Sequence, residues 1–117
     1  MTTYVEILQR SKIGLNFSQS VDSHQLKGRV FETMLCGAML IEDDNPQTRC
    51  YFTPMTDYVS FTSPDDLADK IRHYLVHDDE RAAIAARGEE RTRALYNYEL
   101  YWGRIFDALA ASQSWPL

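Results

Sequence analysis

Three short apolar runs constrain this chain more than any other feature: Ile13-Gly14-Leu15-Asn16-Phe17, Ala38-Met39-Leu40-Ile41 and Asp57-Tyr58-Val59-Ser60-Phe61. Each is too short for a helix and gives way to polar, turn-forming residues, the pattern of buried strands. Between the first two lies Leu26 to Cys36, with Val30, Phe31, Met34 and Leu35 on one side. Gly37 closes that helix, because glycine takes the left-handed conformation a C-cap needs. After the third run, Thr62-Ser63-Pro64-Asp65-Asp66 opens another helix. Ser63 can N-cap it, Pro64 suits its first position, and Asp66 completes a short capping box. Leu67, Ile71, Tyr74 and Leu75 then share one face. Strands alternating with helices imply a parallel sheet with right-handed crossovers. The expected fold class is α/β, a partial Rossmann-like three-layer unit of about three parallel strands flanked by helices.

The remaining segments fit around that frame. Residues 3–11 form a short amphipathic helix, and Glu42-Asp43-Asp44-Asn45-Pro46 is a turn that ends the second strand. Residues 47–54 make an irregular helical turn. Asp79 caps a helix reaching about Thr92, interrupted or ended near Gly88, and a last helix runs from about Asn97 to Ala110. At 117 residues the chain is read as one domain, 1–117. A hydrophobic content of 44% argues against disorder. The net charge of −5, spread over both halves without a basic stripe, excludes a duplex nucleic-acid binder. No apolar run approaches the roughly 18 residues of a spanning helix, and the N-terminus lacks the features of a signal peptide. Cys36 and Cys50 fit no metal pattern and are too few for a disulfide framework, so the chain is placed in the reducing cytoplasm.

In open parallel sheets, ligands bind beyond the carboxyl ends of the strands. The loop after the first strand leads to Lys27, Gly28, Arg29 and Glu32. Free N–H groups at a helix start attract phosphate, Gly28 lets an anion approach the backbone, and Lys27 and Arg29 add positive charge. Glu32, one turn further on, can accept hydrogen bonds from sugar hydroxyls. The alternative for the same residues is an ordinary solvated loop with one exposed glutamate. Three other patterns carry less. The acidic residues after Ile41 are like those of a phosphoacceptor domain, but only one strand follows them. His73 and His77 have metal-compatible i, i+4 spacing without an evident third ligand, and read as a solvated helix end. His24 and Asp22 have no nucleophile elbow nearby.

The series Lys12-Ile-Gly-Leu-Asn-Phe-Ser, Gly28-Arg-Val-Phe-Glu-Thr-Met-Leu-Cys-Gly-Ala and the acidic turn 42–46 resembles the group 1 glycosyltransferases of the GT-B fold. Phe61-Thr-Ser-Pro-Asp-Asp-Leu, Asp79-Glu80-Arg81 and Ile84-Ala85-x-x-Gly88 extend the resemblance over nearly the whole chain. It implies binding of a nucleotide-sugar donor of UDP or GDP type. Glu32 matches the second glutamate of the family's Glu-x7-Glu motif, which contacts the ribose. The first glutamate falls at His24, a departure from the pattern. Lys27, Gly28, Arg29 and Val30 match the helix start that holds the diphosphate. The resemblance implies no metal and no cofactor.

The match covers only the second half of the family's C-terminal, donor-binding domain. The acceptor domain, its catalytic base and the first strands of the donor domain have no counterpart here. No catalytic residue is therefore assigned, and the chain alone is not expected to transfer sugar. A second function from a different class is a non-catalytic oligomerisation or protein-interaction module derived from that fold. In it the unpaired edge of the first strand would join a second copy or a partner domain.

Overall fold

A computed structural model describes residues 3–18 and 28–95. Within them the order is α1 (Tyr4–Arg10), β1 (Ile13–Asn16), α2 (Gly28–Leu35), β2 (Met39–Asp43), α3 (Pro46–Arg49), β3 (Val59–Phe61), α4 (Pro64–Val76) and α5 (Asp78–Leu95). The three strands form one parallel sheet in the order β1-β2-β3. The expected α/β unit of three parallel strands flanked by helices is what the chain adopts. The helix expected over 97–110 lies outside the described residues.

The strand register explains the two cores. Gly14 pairs with Leu40 and Asn16 with Glu42, while Ile13 and Leu15 lie beside Met39 and Ile41. Alternation sends these two sets to opposite faces. Leu40 faces α2 and packs with Val30, Met34, Phe52 and Tyr58. Met39 and Ile41 face α4 and pack with Val59, Phe61, Ile84 and Ala85, with Leu67, Ile71 and Tyr74 at the margin. Leu75, placed on that face by spacing, stays largely exposed. α5 supplies Ile84 and Ala85 to one cluster and Leu95 to the other, so it clasps both layers.

Local chemistry sets the helix ends. Thr3 accepts from the Glu6 N–H at the start of α1. Gly37, at φ +86°, closes α2. Its N–H bonds to the Met34 carbonyl and the Ala38 N–H to the Thr33 carbonyl, both bonds of a Schellman motif. Ser63 accepts from the Asp66 N–H at the start of α4. Asp66 returns its carboxylate to the Thr62 N–H rather than to that of Ser63, and takes a bond from Lys70 Nζ at 2.9 Å.

Three expectations are corrected. α5 does not break at Gly88. The helix runs through it, and a side chain there would meet the Asp57 backbone oxygen at 2.4 Å, so the glycine serves close packing rather than termination. β1 is not a fully buried strand. Among the described residues it is the sheet edge, as the oligomerisation reading expects of the first strand, and Leu15 within it and Phe17 just after it remain 38% and 56% exposed. The acidic turn begins later than expected: Glu42 and Asp43 belong to β2, held there by donors from β1 and α3.

Candidate functional site

The start of α1, the carboxyl end of β1 and the start of α2 border one open cavity of about 660 Å³. Tyr4, Asn16, Phe17, Gly28, Arg29 and Glu32 line it. Glu32 reaches it from the second turn of α2, and its Oε2 accepts a 3.0 Å bond from the Tyr4 hydroxyl. Arg29 is exposed at the mouth. A Cβ on Gly28 would meet only Glu32 Oε1, at 3.8 Å, so the protein's own packing does not demand glycine there. Its missing side chain instead leaves the helix start open to the cavity.

Of the residues singled out from sequence, Gly28, Arg29 and Glu32 come together in this cavity. Val30 sits beside them in the chain, but its side chain is fully buried against Met34 and Leu40, leaving only its backbone to a ligand. His24 and Lys27 lie outside the described residues. His73 on α4 and His77 at its C-cap stack face to face at 3.9 Å and do not line the cavity, and His73 Nε2 meets Glu80 at 2.6 Å. That bond holds the Glu80 carboxyl below its ordinary range. Among the described residues no group of three or more histidines, cysteines or carboxylates is placed to hold a metal. No described helix is long and apolar enough to cross a membrane.

Sequence reasoning missed Tyr4 and Asn16. Tyr4 lies in the short amphipathic helix of residues 3–11, where nothing in the local sequence signals a partner 28 residues away. Asn16 interrupts an apolar run, and a polar residue inside a strand was the available signal. Asn16 Nδ2 donates to Glu42 Oε2 at 2.8 Å, and Thr48 Oγ1 donates to Glu42 Oε1 at 2.6 Å, all three side chains being buried. Next to them, Asp43 Oδ1 accepts from both the N–H and the hydroxyl of Ser18, at 2.6 and 2.9 Å. Buried polar groups stand only when bonded in this way. Together these bonds pin the end of β1, and so the floor of the cavity.

A profile of the family described as glycosyl transferase-like matches residues 1–110. The chain belongs to that family. Among solved structures, HepE of Anabaena in complex with UDP and glucose superposes with a TM-score of 0.79 at 14% identity. The match covers 91% of this chain and 29% of HepE, and the same protein with UDP-glucose gives the same figures. Sucrose-phosphate synthase of Thermosynechococcus elongatus superposes with a TM-score of 0.72 at 20% identity, over 93% of this chain and 28% of that one. At such identities the likeness is one of fold. The glycosyl transferase-like chain thus spans under a third of the length of the structures it matches, and its architecture is a portion of the GT-B glycosyltransferase fold. A search of curated proteins gives no match.

Proposed function

We propose that this chain is the nucleotide-sugar-binding portion of a glycosyltransferase, corresponding to the second half of a C-terminal donor domain. The observation that carries the reading is the cavity itself. It sits beyond the carboxyl end of β1, where open parallel sheets hold ligands, and it joins a glycine-started helix, a cation and a carboxylate. In this reading the backbone of Gly28, Arg29 and Val30, with Lys27, meets the diphosphate. Glu32 accepts from the ribose hydroxyls, and His24 approaches the sugar. The Tyr4 hydroxyl occupies Glu32 until a ligand hydroxyl replaces it. HepE, with UDP-glucose bound, supports the class of ligand. Transfer itself would need an acceptor site and a base from outside the described residues.

Calorimetry with UDP, GDP and their sugar esters tests the reading. Binding at up to millimolar ligand that Glu32→Ala weakens would support it. No heat with any of them would refute it.

The exposed edge of β1 favours a second reading, a non-catalytic oligomerisation module. Leu15 on the strand and Phe17 just after it, with Val5 and Ile7 on α1, leave apolar surface uncovered. A symmetric pair joined there would hide it. Light scattering at high micromolar concentration separates the readings, because a clean monomer excludes this one. Glu32→Ala would leave such an assembly unchanged.

A further inference from the structure

Asn16 carries a feature that the pinning of β1 does not use. Its Nδ2 donates to Glu42, whose other oxygen is taken by Thr48. With the amide nitrogen donating to Glu42, the amide oxygen points away from it. That oxygen has no hydrogen-bond partner among the described residues. It is not one of the enclosed unpartnered side-chain atoms, which among the described residues are Thr33 Oγ1 and the Tyr58 hydroxyl. Since Asn16 is only 2% exposed and lines the cavity, the small opening it has is onto the cavity floor.

We infer that Asn16 is a ligand-contacting residue whose side-chain oxygen accepts a hydrogen bond from a hydroxyl of the bound molecule. Glu42 is its positioning residue, fixing which end of the amide the ligand meets. The inference rests on the nucleotide-sugar reading and deepens it. Glu32 and Asn16 present acceptors from α2 and β1 into one space, and a polyhydroxylated ligand supplies donors to both. The hydroxyl could belong to the ribose or to the transferred sugar. Burial makes the contact selective: a ligand lacking a donor at that point would leave the Asn16 oxygen desolvated and unpaired.

The test is calorimetry on the full chain with UDP, GDP, UDP-glucose and GDP-glucose. The variants are Asn16→Ala, Glu42→Gln and the double variant, each checked for folding by thermal melting. Asn16→Ala should weaken binding about five- to tenfold, the usual effect of losing one neutral hydrogen bond. Loss with the diphosphates as well as the sugar esters assigns the contact to the ribose. Loss with the sugar esters alone assigns it to the sugar. Glu42→Gln offers an amide that can donate, which frees Asn16 to turn its nitrogen to the ligand; because a ligand hydroxyl can also accept, the loss should be smaller than in Asn16→Ala. The double variant should then lose no more than Asn16→Ala does, as expected of bonded neighbours. The loss in Asn16→Ala should also vanish with a deoxy ligand that lacks the contacting hydroxyl, which a merely structural role would not produce. If Glu42→Gln fails to fold, Asn16→Ala alone decides. Wild-type affinity retained in Asn16→Ala, with Glu32→Ala still impaired, overturns this inference and leaves the nucleotide reading intact. No binding by the wild-type chain overturns both.

Discussion

Gly88→Ala should destabilise the fold, although the same change in an open helix stabilises it. In an unobstructed helix, alanine gains about 1 kcal/mol over glycine. At residue 88 the added Cβ would sit 2.4 Å from the Asp57 carbonyl oxygen and 3.0 Å from Met34 Sδ. The methionine can swing aside. The carbonyl belongs to the backbone just before β3, so α5 or the sheet must move by at least 0.6 Å to reach a 3.0 Å contact. Overpacking of this kind costs about 1–3 kcal/mol, and α5 carries residues of both core clusters, so its displacement is felt on both sides. The net expectation is a loss of about 1–2 kcal/mol, or a fall in Tm of roughly 5–10 °C for a chain of this size. Ala83→Gly, at an exposed position of the same helix, is the control and should cost about 1 kcal/mol by propensity alone. Calorimetric or circular-dichroism melts of the three proteins decide it. A Gly88→Ala protein that melts at or above the parent temperature would refute the close approach of α5 to the sheet.

Three further outcomes are expected. Burial, reinforced by the charge of Glu42, pushes the Tyr58 phenol up to about 12. The unfolded chain ionises it near 10, so the folded state keeps its full advantage below pH 10 and loses about 2–3 kcal/mol as pH rises through 12. Urea melts of the parent and Tyr58→Phe should show that limb shrinking in the variant, and superimposable limbs would refute it. The Lys70 bond holds Asp66 below its ordinary range, so the support it lends α4 is present above about pH 4 and fades as pH falls through the lowered value. Asp66→Asn should therefore flatten the acid side of a Tm-against-pH curve. Gly28→Ala should leave Tm unchanged or higher while weakening nucleotide binding in calorimetry, and the reverse pattern would mean that Gly28 is a packing residue.

The frame of the fold was legible because it depends on local signals. The caps at Ser63 and Gly37 and the alternation of apolar runs with amphipathic helices need only neighbours in the chain. What escaped were roles created by distant partners. Gly88 looked like a stop because its packing against Asp57 is made across 31 residues. Glu42 looked like part of a turn because a carboxylate in a buried strand is implausible until Asn16 and Thr48 are placed beside it. Hydropathy reads Leu15 and Phe17 as buried, and although the unpaired edge of the first strand is expected from the family resemblance, the exposure of these two side chains is not. For the site, Gly28, Arg29 and Glu32 were visible as a helix start, whereas Tyr4 and Asn16 came from elements that only folding brings to it.

The Asn16–Glu42 bond has a consequence for strand alignment. An edge strand of four residues is held by pairing on one side only, and small apolar residues alone would let it slide along β2. A slip of one residue would set Glu42 beside Leu15 or Phe17 and cost the buried carboxylate its bond from Asn16. The misaligned state is thereby penalised far more than the loss of a few van der Waals contacts could penalise it. Gly14 adds a steric key, because a Cβ there would lie 2.4 Å from Thr33 Cγ2, so only glycine can pass under α2 at that point. A polar pair and a missing side chain thus act together as an alignment pin, and the floor of the cavity inherits its position from them.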